Sequence, residues 1–170
     1  MPPIKYTATI APNTVNIGDK VRIKGILMDD AKEFSINFVN ELCRNPAFIT
    51  YHFKWILDEN VIVENYKENG EWIDHKEKMF DQLDGVFHSK NSFSSHPLYT
   101  NNTILNYSVL GTIFELEFAF QDGYIDVYKI YENTPNRITT YDTELNINDI
   151  KSLQVWGDVK KISEITFKYA

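Results

Sequence analysis

The most informative stretch of this sequence is Val61-Ile62-Val63-Glu64-Asn65-Tyr66-Lys67-Glu68-Asn69-Gly70-Glu71-Trp72. It begins with an apolar run that is typical of a strand, and its Asn69-Gly70 pair is typical of a tight turn. The aromatic ring of Trp72 follows the turn at a position that we expect to face water. An aromatic plate beside hydrogen-bonding side chains on a rigid strand suits a sugar, which offers both C–H groups and hydroxyls.

Length and composition indicate one well-ordered domain. The chain has 170 residues, of which 43% are hydrophobic and 14% are aromatic, so a sizeable buried core is expected. We therefore predict a single domain over residues 1–170. The net charge of −7 argues against binding to nucleic acid, because phosphates favour basic proteins, and against docking to an anionic membrane.

The sequence contains one cysteine, Cys43, so no disulfide can form within the chain. Its first residues lack the apolar core of a secretion signal, and no apolar run approaches the roughly 18 residues of a membrane span. A cytoplasmic location is therefore the expectation. Cys43 is expected to be a buried or half-buried thiol rather than a nucleophile.

Apolar and polar residues alternate with a period of two along most of the chain, which predicts strands. The predicted strands cover residues 20–26, 34–38, 50–55, 61–63, 114–120, 124–130, 153–155 and 162–167. The best helical candidate is one short turn at residues 147–152, capped by Asn146 or Asn148. Many short strands with one apolar face each imply an all-β sandwich of two antiparallel sheets.

The segment from Asp81 to Val109 departs from this pattern, because it is rich in Ser, Asn and His. We interpret it as a long inserted loop at about residues 81–109. A loop of this length in a compact domain is either functional or disordered. Its apolar residues, such as Phe87 and Phe93, favour a role in lengthening or covering a groove, or in binding a protein partner.

The Asn69-Gly70 turn belongs to a series of seven motifs along the chain. They are Gly18–Gly25, Phe34–Phe38, Tyr51–Phe53, Glu59–Asn65, Asn69–Trp72, Gly111–Leu116 and Ile150–Val159. In this order, the motifs resemble those of the galectins, the family of β-galactoside-binding lectins. The match covers most of the chain except residues 81–109. It implies a galectin-like jelly-roll β-sandwich and a non-catalytic carbohydrate-recognition domain.

The sugar-binding pattern of the family is matched only in part. Galectins bind galactose with His-x-Asn-x-Arg on one strand, Asn on the next, and Trp-x-x-Glu-x-Arg beyond the turn. This chain keeps the His, the second Asn and the Trp, but Lys54 and Ile56 replace the first Asn and Arg, and His75 and Glu77 replace the final Glu and Arg. The resemblance implies a carbohydrate site that consists of His52, Lys54, Asn65, Trp72, His75 and Glu77.

These replacements change the hydrogen-bonding chemistry of the site. Lys54 donates but cannot accept, Ile56 lacks the five donors of an arginine, and Glu77 exchanges donors for acceptors. Losing two or three charge-assisted hydrogen bonds at about 1.5–3 kcal/mol each would remove most of a weak lectin's affinity. The sequence therefore predicts weak or altered β-galactoside preference. The alternative is a protein–protein interaction module that keeps the fold and has lost sugar binding.

Other kinds of chemistry have less support. Glu115 and Glu117 share one face of a predicted strand, as a glycosidase's carboxylate pair could, but we expect a solvated strand face. His75, His88 and His96 do not have the spacing of a metal site. We therefore predict no enzymatic activity, no metal and no cofactor.

The expected partners are glycans or glycoconjugates, with the loop at residues 81–109 as the candidate surface for a protein partner. Neither a nucleic-acid partner nor a membrane span is predicted. The resemblance to galectins also implies export without a signal peptide, and it suggests a homodimer in which terminal strands pair.

Overall fold

The computed structural model describes residues 3–10, 14–79 and 113–170. The strands among these residues are β1 (Ile4–Thr9), β2 (Lys20–Leu27), β3 (Glu33–Val39), β4 (Ile49–Ile56), β5 (Val61–Glu68), β6 (Glu71–Trp72), β7 (Lys76–Met79), β8 (Ile113–Phe120), β9 (Tyr124–Tyr131), β10 (Thr134–Asp142), β11 (Ser152–Gly157) and β12 (Val159–Lys168). The loop predicted at residues 81–109 lies outside the described residues.

Two antiparallel sheets form the described part of the molecule, so the predicted all-β sandwich is confirmed. Sheet A has the strand order β1-β11-β3-β4-β5-β6, and β7 also pairs with β5. Sheet B has the order β10-β9-β8-β2-β12. The core between the sheets is rich in aromatic rings: Phe38 of β3 and Phe118 of β8, for example, have ring centroids 4.9 Å apart.

Alternation along each strand of sheet A separates a core face from an outer face. On β3, Phe34, Ile36 and Phe38 join the core, so Ser35 and Asn37 point to the outer face. Burying each large apolar side chain contributes about 1.5–3 kcal/mol, which fixes the register because a slip by one residue would expose all of them. The outer face of sheet A is therefore a defined surface on which polar side chains from neighbouring strands meet.

The Asn69-Gly70 turn joins β5 to β6 as a two-residue hairpin loop. Both residues have positive φ, 51° for Asn69 and 85° for Gly70, as a type I′ turn requires. The turn brings Lys67 opposite Trp72 in the ladder between β5 and β6. This register places Trp72 at the edge of sheet A, beside the strand that carries Asn65.

The short turn predicted at residues 147–152 is a 3₁₀ turn at Ile147–Asp149. Its N-cap is Asn146, whose side-chain oxygen accepts a hydrogen bond of 2.9 Å from the backbone N–H of Asn148. Of the two cap residues that the sequence left open, the structure therefore selects the first.

Candidate functional site

The candidate site lies on the outer face of sheet A, where β4, β5 and β7 run side by side. His52 pairs directly with Asn65 across the β4–β5 ladder. One row further along, Lys54 pairs with Val63, which pairs with Glu77 of β7. Because cross-strand partners point to the same face, the side chains of these residues share one surface.

Trp72 extends this surface beyond β5. Its ring centroid lies 4.7 Å from that of His52, at an interplanar angle of 51°. The indole is 43% exposed, whereas His52 is only 8% exposed. The ammonium of Lys67 lies 5.5 Å from the Trp72 ring centroid, so the ring already has a cationic neighbour. The indole is therefore exposed to water, as the sequence predicted.

A chain of hydrogen bonds fixes the protonation of His52. Asn37 donates through Nδ2 to the backbone oxygen of Gln154 at 3.5 Å, so its Oδ1 is free to accept. His52 Nδ1 lies 2.5 Å from that Oδ1 and therefore carries the proton. The other ring nitrogen, Nε2, is left as an acceptor in the neutral ring.

The amide of Asn65 is oriented in a similar way. Its Oδ1 accepts hydrogen bonds of 2.8 Å from the backbone N–H groups of both Tyr66 and Asp74. The Nδ2 group is consequently directed away from these contacts as a donor. An acceptor on His52 and a donor on Asn65 stand on paired positions, which suits a hydroxyl that donates and accepts at once.

The charged residues of the site are largely paired with one another. Lys54 Nζ lies 2.8 Å from Glu33 Oε2, and His75 Nε2 lies 2.7 Å from Glu77 Oε1. Ile56, in the next outward position of β4, contributes no polar group. The structure thus places all the predicted site residues around one patch, but their charges are arranged in local pairs.

Burial has a consequence for the acid stability of the protein. It lowers the pKa of His52 from 6.5 to about 3, with smaller contributions from Lys54 and His75. Between these pH values the unfolded chain binds a proton that the folded protein does not, so stability falls as the pH falls. We expect a loss of up to about 1.4 kcal/mol for each pH unit between the unfolded pKa of 6.5 and the folded pKa of about 3, measured by urea unfolding.

The matched variants for this measurement are His52→Gln and His75→Gln. The first should flatten the acid slope of stability, because it removes the buried imidazole. The second removes an exposed imidazole and should retain the slope. If the stability of the wild type and of His52→Gln falls equally with falling pH, the buried imidazole of His52 is not the cause of the acid slope.

Other residues singled out in the sequence lie elsewhere. Glu115 and Glu117 are on β8 of sheet B, and Glu117 is buried beside Arg22 at 2.8 Å, so the expected solvated strand face is wrong for Glu117. Cys43 is exposed, which corrects the expectation of a buried thiol. Among the described residues no cluster of three or more His, Cys, Asp or Glu could hold a metal ion, and His88 and His96 lie outside those residues.

The sequence did not single out Lys67, Asn37 and Gln154 as parts of this surface. Lys67 could have been found, because it stands two residues after Asn65 and opposite Trp72 across a two-residue turn. Asn37 and Gln154 contact each other across two strands that are neighbours in the sheet but far apart in the sequence. Alternation alone does not predict such a contact.

The family model for galactoside-binding lectins matches residues 5–167. The chain therefore belongs to the galactoside-binding lectin family, the galectins. Within the described residues, no helix is long and apolar enough to cross a membrane. None of the curated proteins matches the chain.

Solved galectin structures share this fold. Sheep galectin-11 in complex with glycerol has a TM-score of 0.65 and 19% identity, with 98% of each chain covered. A single-substitution variant of human galectin-16 has a TM-score of 0.67 and 16% identity, covering 97% of this chain and 95% of its own. Caenorhabditis elegans galectin LEC-6 has a TM-score of 0.66 and 16% identity, and the match covers 99% of this chain and 94% of LEC-6. At these identities the likeness establishes the fold alone.

Proposed function

We propose that this protein binds glycans without catalysis, through the outer face of sheet A, with an altered preference among β-galactosides. The observation that carries the proposal is the cluster of Trp72, His52 and Asn65. The exposed indole offers a surface for the C–H face of a sugar ring. His52 Nε2 and Asn65 Nδ2 offer an acceptor and a donor beside that surface. Lys54, His75 and Glu77 complete the proposed site.

The altered preference follows from what surrounds this cluster. A galectin's arginines would supply planar forks of donors at the positions of Ile56 and Glu77. Here one position is apolar and the other is a carboxylate that is 2.7 Å from His75. Lys54 is held by Glu33 at 2.8 Å. A sugar whose hydroxyls need those arginine donors is left with unpaired polar groups, so we expect weak lactose binding.

Replacing Trp72 by alanine should strongly weaken glycan binding while the fold is retained, because the side chain is partly exposed. We expect a loss of about 2 kcal/mol or more, roughly a 30-fold drop in affinity, from an array hit followed by titration calorimetry. Ile73→Ala, the neighbouring exposed residue, is the matched control and should bind as the wild type does. No signal on any glycan, from protein shown to be folded, would sink the proposal and favour the interaction module.

A gain-of-function variant tests the altered preference separately. Lys54→Asn, Ile56→Arg and Glu77→Arg together restore the galectin pattern at three positions of the site. If the missing donors cause weak lactose binding, the triple variant should bind lactose more tightly than the wild type. Tight lactose binding by the wild type itself would contradict the altered preference.

Several other expectations from the sequence and from the resemblance to galectins remain predictions. They are a single domain over residues 1–170, a cytoplasmic location with export without a signal peptide, a homodimer, and a protein partner bound through residues 81–109.

A further inference from the structure

The outer face of two strands of sheet A is covered by the protein itself. Asn37, Val39 and Gln154 are fully buried, and Ser152 and Trp156 are almost so, although all of them point away from the core between the sheets. They belong to β3 and β11, next to the strands that carry the candidate site. A ligand therefore cannot reach the outer face of these two strands.

The cover is the β3–β4 loop (residues 40–48), which hydrogen bonds fasten across the sheet. Ser152 Oγ donates to the backbone oxygen of Glu41 at 3.1 Å, and Gln154 Nε2 donates to that of Cys43 at 2.8 Å. At its other end, the backbone oxygen of Ala47 accepts from the N–H of Gly70 at 2.9 Å. The loop thus runs from β11 to the β5–β6 turn.

Trp156 fills the space between this loop and the candidate site. Its indole N–H donates to Gln154 Oε1 at 3.0 Å, so the ring lies along the outer face of β11. Its ring centroid is 6.0 Å from that of His52. The side of His52 that faces β3 is consequently closed by an aromatic ring and a fastened loop.

On the far side of the loop lies a separate depression of about 400 Å³. It is lined by Ile4, Thr7, Thr9, Leu42, Cys43, Arg44 and Ser152. The loop therefore separates this depression from the surface over β4 to β7. That surface carries the Trp72 cluster and spans roughly 10 Å across the strands.

We propose that the site takes the end of a glycan chain and excludes internal sugars; this inference rests on the proposed function. A glycan that lies across the strands meets Trp156 and the backbone of Cys43 beyond His52. A glycan that lies along the strands meets the backbone of Ala47 and Gly70, which are joined by a hydrogen bond. In both directions one side is closed, so the bound sugar has to be terminal. The rest of the glycan leaves over the opposite side, where no other described strand lies beyond β6 and β7.

The stoichiometry of binding to glycans of increasing length tests this inference. The probes are linear chains of a repeating β-galactosyl disaccharide, from the single disaccharide to long polymers, and titration calorimetry gives the number of proteins per chain. Recognition of an end predicts one protein per chain at every length. Several proteins on each long chain would overturn the inference while leaving the proposed function intact.

Variants that loosen the β3–β4 loop or remove Trp156 provide a second test of the inference. Gln154→Ala removes the hydrogen bonds to Cys43 and Trp156, and Trp156→Ala removes the aromatic ring that lies beside His52; thermal unfolding checks that each variant is folded. We expect either variant to raise the number of proteins on long chains above one. Tyr131→Ala, an exposed residue of sheet B, is the control and should remain at one. Unchanged stoichiometry in both Gln154→Ala and Trp156→Ala would overturn the inference.

The triple variant Lys54→Asn, Ile56→Arg, Glu77→Arg keeps the same loop. It replaces the wild type in this experiment if the wild type gives no signal with β-galactosyl chains. If neither protein binds these chains, the probes become linear chains that repeat the glycan bound on the array. No signal on any glycan sinks the proposed function, and the inference with it.

Discussion

Replacing Lys78 by methionine is expected to destabilise the protein by about 2–4 kcal/mol, because it leaves a buried carboxylate without its cation. Glu64 of β5 is 0% exposed, and Lys78 Nζ lies 2.7 Å from its Oε2. Removing one partner of a fully buried pair costs about 3–5 kcal/mol, and the 39% exposure of the Lys78 side chain reduces that figure. Urea unfolding at neutral pH measures the difference.

The neutral donors around Glu64 explain why the expected loss is not larger. Tyr51 donates to Oε1 at 2.6 Å and Thr139 donates to it at 3.0 Å. Burial, followed by the charge of Glu64, raises the pKa of Tyr51 well above its ordinary value, so this hydroxyl keeps its proton. Lys78 also donates to the backbone oxygen of Thr140 at 2.9 Å, which ties β7 of sheet A to β10 of sheet B.

Lys76→Met is the matched control, two residues away on the same strand. Lys76 pairs with Asp74 at 2.8 Å, and both side chains are substantially exposed, so we expect a loss below about 1 kcal/mol. Adding Glu64→Gln to Lys78→Met should recover much of the stability, because the uncompensated charge is then gone. Equal losses for the two lysine variants would show that the burial of Glu64 has no energetic consequence.

Gly157→Ala should destabilise the protein more than Gly70→Ala does. Gly157 has φ of +91°, and an added Cβ would lie 2.7 Å from the backbone oxygen of Glu33 and 2.9 Å from Phe34 Cα. The left-handed conformation costs about 1–2 kcal/mol, and the collision with backbone atoms adds about 1–3 kcal/mol. We expect a total of about 2–5 kcal/mol, measured by thermal and urea unfolding.

Gly70→Ala separates the two causes. Gly70 has φ of +85°, but an added Cβ would meet nothing within 4 Å. Its substitution should therefore cost only the conformational part, about 1–2 kcal/mol. If both alanine variants are destabilised equally, the close approach of Glu33 and Phe34 to Gly157 has no effect on stability.

The sequence predicted the strands with a buried face better than the strands at the edges. Alternation identified β2, β3, β4, β8 and β9, because each has a core face to conceal. It missed β1 and β10, which stand at the edges of sheets A and B, although it did identify β12 at the other edge of sheet B. β10 contains Pro135, which cannot donate to a ladder and is tolerated at an edge. Edge strands carry weaker patterns, because fewer of their side chains are buried.

The site could be predicted only at the level of single strands. Alternation and the resemblance to galectins identified His52, Asn65 and Trp72, which the structure brings together. The cover over β3 and β11 could not be predicted in this way. Gln154 and Trp156 have the pattern of ordinary strand residues, and their role depends on a loop more than a hundred positions earlier in the chain.

The position of β2 has a consequence for how the chain folds. Val21 pairs with Phe118 on one side and with Phe167 on the other, so sheet B joins segments from opposite ends of the sequence. Such non-local pairing typically slows folding to milliseconds or seconds. At about 5–20 residues per second of synthesis, β2 waits roughly 10 s for its last neighbour. During that time its edge is open to incorrect pairing, so we expect the nascent chain to need chaperones more than a helical protein of this length would.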